Sequence, residues 1–119
     1  MDKIEHLFKT SIEQLVREII AVNHGWKAAR ELFGEDSTLS TSTRDLKTCL
    51  QVRLLKEYAP DKVYLVKDKE ESNKVGEEIY SLQLREEVGD RLYAEHLPFR
   101  VAKEFLTEQE LRKFTKQSI

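Results

Sequence analysis

The dipeptide Ala59-Pro60 divides this chain into two kinds of apolar pattern. Before it, apolar residues recur at intervals of three and four, the spacing that lines one face of a helix. After it they alternate, the spacing that lines one face of a strand. A proline ring disfavours helical geometry at the preceding residue and removes a backbone donor, so the period changes where a helix has to stop. A chain written this way folds as α+β, with helices first and an antiparallel sheet after them.

In the first half, residues 3 to 22 set Ile4, Phe8, Ile12, Leu15, Ile19 and Val22 at helical spacing with charges between them. Asn23, His24 and Gly25 read as a stop, glycine suiting the left-handed position after a helix end. Residues 26 to 33 then predict a second, short helix with Trp26, Ala29, Leu32 and Phe33 on one side, ending at Gly34. A third helix is predicted over 43 to 58, with Leu46, Leu50, Leu54 and Tyr58 as its buried stripe. Ser42 or Thr43 starts it, and Ser42 with Asp45 has the spacing of a capping box. Residues 35 to 41 are predicted as loop. Six of the seven residues from Ser37 to Thr43 are Ser or Thr, and each costs about 0.5 kcal/mol relative to Ala inside a helix.

In the second half, residues 62 to 66 and 78 to 84 are rich in β-branched and aromatic residues, and residues 91 to 97 form a third such run. The polar stretch 67 to 77 is expected to be an exposed and mobile hairpin loop, and Val88, Gly89 and Asp90 a second turn. The result is a three-stranded antiparallel β-meander. Pro98 suits the first turn of a helix whose face is Val101, Ala102, Phe105 and Leu106. Thr107 and Glu110 form a capping box for a last short helix with Leu111 and Phe114 on its apolar side. The expected architecture is therefore three N-terminal helices, the meander and two short C-terminal helices in a single domain spanning 1-119.

One stretch admits another reading. Ala28, Ala29, Leu32, Ser37, Leu39 and Ser40 place an alanine pair, a leucine three on, a polar turn and a serine-rich segment in succession. This pattern resembles the helix-turn-helix of the LysR-type and related DNA-binding proteins over about 20 residues, with Phe33 and Gly34 departing from the small-then-aliphatic pair of that motif. The resemblance implies a winged-helix-like regulator with Ser37, Thr41, Arg44, Lys47 and Arg53 facing DNA. Residues 42 to 69 are the only basic segment, with seven basic against four acidic groups, whereas the whole chain has a net charge of −2. A cationic nucleic-acid binder carries a larger surplus. Arg44, Lys47, Arg53, Lys56, Lys62, Lys67 and Lys69 are interleaved with Asp45, Glu57, Asp61 and Asp68, the arrangement of a salt-bridged face.

Catalytic patterns are sparse. Neither G-x-S-x-G nor a glycine-rich phosphate loop occurs, and Cys49, between Thr48 and Leu50, is expected to be a small buried hydrophobe. His6, His24 and His96 are isolated from one another, so no metal or cofactor is expected. His24 suits a helix C-terminus and His96 the end of the third strand, where an enzyme reading would need it gathered with Glu95 and Arg91. The pairs Glu70/Glu71, Glu77/Glu78 and Glu86/Glu87 point to opposite faces of any strand and cannot act on one atom. The hydroxyl run with Arg44 suits either a helix cap or an anion, including a phosphate on the run itself.

The N-terminus has Asp2, Lys3 and Glu5 and no apolar block after them, so neither a signal peptide nor a membrane span is expected and the location expected is cytoplasmic. The leading expectation is a small non-enzymatic regulatory or adaptor protein that binds another protein, a homodimer being compatible with it. Tyr64, Tyr80, Arg85, Arg91 and Tyr93 are the residues expected at the contact, because interfaces favour tyrosine and arginine. DNA binding is the alternative, and a small enzyme the third reading.

Overall fold

The computed structural model describes residues 11–68, 78–85 and 93–115. Helix α1 runs Ile12–Phe33 and α2 runs Thr38–Tyr58; strands β1 (Val63–Asp68), β2 (Ile79–Leu84) and β3 (Tyr93–Pro98) follow, then α3 (Phe99–Phe105) and α4 (Glu108–Phe114). The fold is α+β; among the described residues two helices precede the sheet, where three were expected before it. Ile4 and Phe8 lie outside the described residues.

The two N-terminal helices expected on either side of Gly25 are one. Ser11 caps α1, its hydroxyl accepting from the Gln14 N–H at 3.1 Å, and the helix passes through Asn23, His24 and Gly25 without a break. The buried stripe explains why: Leu15, Val16 and Ile19 lead to buried Asn23, then to half-buried Trp26 and buried Ala29, so the three-and-four spacing never lapses. A glycine in mid-helix costs about 1 kcal/mol. Packing along a second helix outweighs that. His24 is consequently an exposed mid-helix residue, far from a C-terminus.

Helix α2 begins at Thr38, so the expected loop over 35 to 41 is confined to its first residues. Ser37 is the cap, accepting from the Ser40 N–H at 3.1 Å, and the Ser42/Asp45 box is not used because both residues lie inside the helix. Several of the hydroxyls that were expected to oppose helix formation bond to the helix's own backbone instead. Thr41 donates to the Ser37 carbonyl at 2.7 Å, Thr43 to Leu39 at 2.7 Å and Thr48 to Arg44 at 3.1 Å. The buried face is also rotated from the expected one, comprising Ser40, Lys47, Thr48, Gln51, Leu54 and Leu55. Leu50 and Tyr58 are half-buried against the core, Leu46 is exposed, and Cys49 is exposed and not the buried hydrophobe expected. Lys47 and Gln51 face inward because each has a partner there, which a count of apolar residues cannot register.

Helix α2 ends at Ala59 before Pro60, as the sequence predicts, and the chain enters the meander β1-β2-β3. Val63 pairs with Leu84 and Leu65 with Leu82, placing these four with Tyr80 and Leu97 on the face that packs on the helices. The turn at Val88, Gly89 and Asp90 and the loop at 69–77 lie outside the described residues. The β2–β3 register passes from Ser81↔His96 to Gln83↔Tyr93, so β3 carries one extra residue, a bulge in which Glu95 adopts φ 67. Pro98 caps α3, whose Ala102 enters the core followed by Leu106, while Phe105 is exposed. The capping box of Thr107 and Glu110 forms as predicted, at 3.1 and 2.9 Å, and the Thr107 N–H holds the Glu110 carboxyl below the usual carboxylate range. Among the described residues no helix is long and apolar enough to cross a membrane.

Candidate functional site

Helices α1 and α2 run antiparallel. The Ser40 hydroxyl donates to the Gly34 carbonyl at 2.7 Å, Lys47 Nζ to Asn23 Oδ1 at 3.2 Å, and Leu54 and Leu55 join Leu15 and Ile19 in the core. The pair is thus a helical hairpin whose four-residue connection, 34 to 37, lies at one end. Gly34 makes that turn at φ 92 and ψ 157, and its N–H closes α1 on the Arg30 carbonyl at 3.0 Å. Such a conformation belongs to glycine.

Around this turn large apolar side chains face outward. Leu32 is 74% exposed, Phe33 62% and Leu39 51%. Leu32 and Phe33 are the last two residues of α1 and lie beyond Ala29, the last residue of that helix to be buried. The outward trend continues along α2: Leu46 stands two turns from Leu39 on the same side and is 49% exposed. Glu31, Glu35 and Asp36 are exposed beside the three tip residues.

A second cluster lies inside, where α1, α2 and β3 meet. Gln51 Nε2 donates to the carbonyls of Ala94 and His96, at 3.2 and 3.1 Å, and so clamps the two residues flanking Glu95 in the bulge. The Gln51 Oε1 atom is buried with no hydrogen-bond partner among the described residues. Tyr93 donates to Glu95 Oε1 at 3.2 Å and lies 3.4 Å from His96 Nδ1. Lys47, 7% exposed, sits under the Trp26 ring at 4.6 Å, with Arg30 at 4.5 Å from the same ring. Burial pushes the Lys47 amine down to about 8, against the pull of Glu95 and with help from Lys27 and Arg30. Glu95 is 8% exposed. Lys47, Gln51 and Glu95 are buried, and the two donations from Gln51 make this cluster an internal clamp on the bulge. Among the described residues no group of three or more His, Cys, Asp or Glu is placed to hold a metal ion.

The residues expected at a protein contact are divided by the sheet. Tyr64 pairs with Gln83, and Gln83 with Tyr93, so both tyrosines share the face opposite Leu65 and Leu82. Arg85 stacks on Tyr64 at 4.6 Å and donates to the Pro60 carbonyl at 3.3 Å. Tyr80 is on the other face, buried and stacked on Phe99 at 4.1 Å, which removes it from any surface role. Arg91 lies outside the described residues.

The DNA-facing set fares differently. Ser37 is spent on its cap, Thr41 on a backbone carbonyl, and Lys47 points into the hairpin. Arg44 and Arg53 are exposed, beside Asp45 at 3.9 Å and Glu57 at 3.2 Å. An antiparallel hairpin also differs from a helix-turn-helix, whose helices cross at about 90–120°.

Sequence reasoning placed Leu32 and Phe33 on an inward face and Leu39 in a loop. No local pattern marked them out, since Leu54 and Leu55 are equally adjacent and both are buried.

Comparison of the chain with known protein families, curated proteins and solved structures finds no match.

Proposed function

We propose that this chain is a small non-enzymatic regulatory or adaptor protein that works by binding another protein, and that the free end of the α1–α2 hairpin is its contact surface. The observation that carries this reading is the outward placement of Leu32, Phe33 and Leu39 around one turn, with Leu46 continuing the apolar side of α2. Exposed leucines scattered singly are ordinary, whereas several large apolar side chains gathered at one rigid end mark a contact site. The hairpin presents them firmly, because the Ser40–Gly34 and Lys47–Asn23 bonds fix one helix against the other. The enclosure of Lys47, Gln51 and Glu95 supports the non-enzymatic half of the reading, since these polar groups hold the bulge.

Affinity capture from the source cell tests it, using the wild-type chain and a Leu32→Ser/Phe33→Ser variant as parallel baits, with and without nuclease. Both replaced side chains are exposed, so the variant folds. The reading expects a protein retained by the wild type, insensitive to nuclease and lost from the variant. Equal retention by both baits, or retention that nuclease abolishes, overturns it.

A further inference from the structure

We propose that α1 has a charge-gated opening over residues 23 to 27: while the Lys47 amine is protonated this stretch unfastens locally from α2 and lets the ammonium reach water, and once the amine is neutral the stretch stays closed. Apolar packing between the two helices thins at this level. Between Ile19 and Ala29 the one residue that α1 buries is Asn23, and the residues that α2 buries from Ser40 to Gln51 are Ser40, Lys47, Thr48 and Gln51. Segments with few buried apolar contacts open at a lower free energy than the whole fold. Gly25 lies in the same stretch, exposed and with no heavy atom within 4 Å of where a Cβ would stand, so helix propensity holds α1 least firmly here.

The charge on Lys47 supplies the drive. Lys47 is buried, and its one hydrogen-bond acceptor among the described residues is the neutral amide oxygen Asn23 Oδ1 at 3.2 Å. The half-buried Trp26 ring covers it at 4.6 Å. From α1, Lys27 and Arg30 bring like charge, Arg30 at 4.5 Å from the same ring. From β3, Glu95 brings opposite charge, its carboxylate accepting from Tyr93, whose hydroxyl lies beside His96. On α2 the nearest charged residues in sequence, Arg44 and Asp45, are exposed and paired with each other. Among the described residues no carboxylate is in ion-pair contact with Lys47. An ammonium desolvated in this way is relieved either by losing its proton or by swinging out on its four-carbon stem past Trp26. The second route moves Asn23 and Trp26 and leaves the Ser40–Gly34 bond at the hairpin end in place. With the amine at about 8 in the closed seam and at 10.5 in water, the open form binds the proton more tightly, so opening is favoured below pH 8 and suppressed as pH climbs above it.

Amide hydrogen exchange in the isotope-labelled full chain, corrected for its intrinsic pH dependence, tests the inference. Amides of residues 23 to 27 should be less protected than those of the central strand β2, and less sensitive to dilute urea. Their protection should rise about tenfold from pH 6 to pH 9. That rise should begin at the pH where the Lys47 Cε carbon titrates in the same sample. Lys47→Met should lose the pH dependence, and Gly25→Ala should keep it while raising protection at every pH by about threefold. Protection at 23 to 27 equal to that of β2, with equal urea sensitivity, means that the stretch opens only with the whole fold and overturns the inference. So does protection that stays level from pH 6 to pH 9, a rise out of step with the Lys47 titration, or an undiminished rise in Lys47→Met. Should Lys47→Met fail to fold, the two wild-type titrations decide.

Discussion

Gly25 and Gly34 are two glycines of one helical hairpin, and replacing each with alanine should move stability in opposite directions. Gly25 lies near the middle of α1, is exposed, and a Cβ built on it meets no heavy atom within 4 Å. Its φ is not positive, so alanine adopts the native backbone without strain, and the remaining effect is the smaller entropy of the unfolded chain. That favours Gly25→Ala by about 0.5–1 kcal/mol. Gly34 also has open space around it, but its φ of 92 and ψ of 157 belong to a region that side chains avoid. Gly34→Ala should cost on the order of 1–3 kcal/mol. Because neither Cβ touches anything, the pair isolates the backbone contribution from packing. Urea unfolding followed by far-UV circular dichroism reads both. With a slope of about 2 kcal/mol per molar, Gly25→Ala raises the midpoint by about 0.4 M and Gly34→Ala lowers it by more. A Gly25→Ala variant less stable than wild type would refute the reasoning, since that is the outcome for a helix that ends at Gly25 in a left-handed turn.

Three further outcomes are expected. The Lys47 amine titrates near 8 in the folded protein against 10.5 for an ordinary lysine, so the unfolded chain holds the proton more tightly and stability rises as pH climbs through this interval, by about 3 kcal/mol if the whole difference is realised. Burial raises the Tyr80 phenol, which costs stability above about pH 10, so the difference between wild type and Lys47→Met is read from pH 8 to 10. It should change in favour of the wild type across that range, and a constant difference contradicts a buried ammonium. Gln51→Leu removes both side-chain hydrogen bonds to the bulge, so a loss of about 2 kcal/mol is expected. Amide exchange from residue 94 to 97 should accelerate in that variant, and unchanged exchange would show that the clamp does not hold the bulge. Duplex DNA should show no salt-dependent retention of the chain, and Arg44→Ala/Arg53→Ala should leave elution unchanged; retention that falls with salt and with these substitutions would restore the DNA reading.

The parts of the fold that were legible in the sequence are those decided locally. Pro60 ended α2, the alternation around Leu65 and Leu82 set the strands, and Thr107 with Glu110 capped α4, each through chemistry confined to a few neighbouring residues. The parts that were misread depend on partners distant in sequence. Gly25 stops a helix only when nothing outside it compensates, and α2 supplies that compensation through Lys47 and Asn23, 24 residues apart. The Ser/Thr run from 37 to 43 costs helix propensity until Thr41 and Thr43 find carbonyls one turn back and Ser40 finds Gly34. Likewise Gln51 is buried for the sake of Ala94 and His96, 43 and 45 residues away. A surface-contact reading was open from composition, but the exposed side chains now proposed to carry it were not. Tyr64, Arg85 and Tyr93 were chosen by residue type, whereas Leu32, Phe33 and Leu39 declare themselves only once the hairpin shows which faces are covered.

Site-specific photocrosslinking in the source cell addresses the central claim most directly. A photoreactive phenylalanine analogue at Phe33 contacts whatever rests on the hairpin end, and the same analogue at Gln109, exposed on α4, reports background. The account predicts one discrete covalent adduct with another protein from position 33 and none from position 109. No adduct at position 33, or the same adducts from both positions, would contradict it.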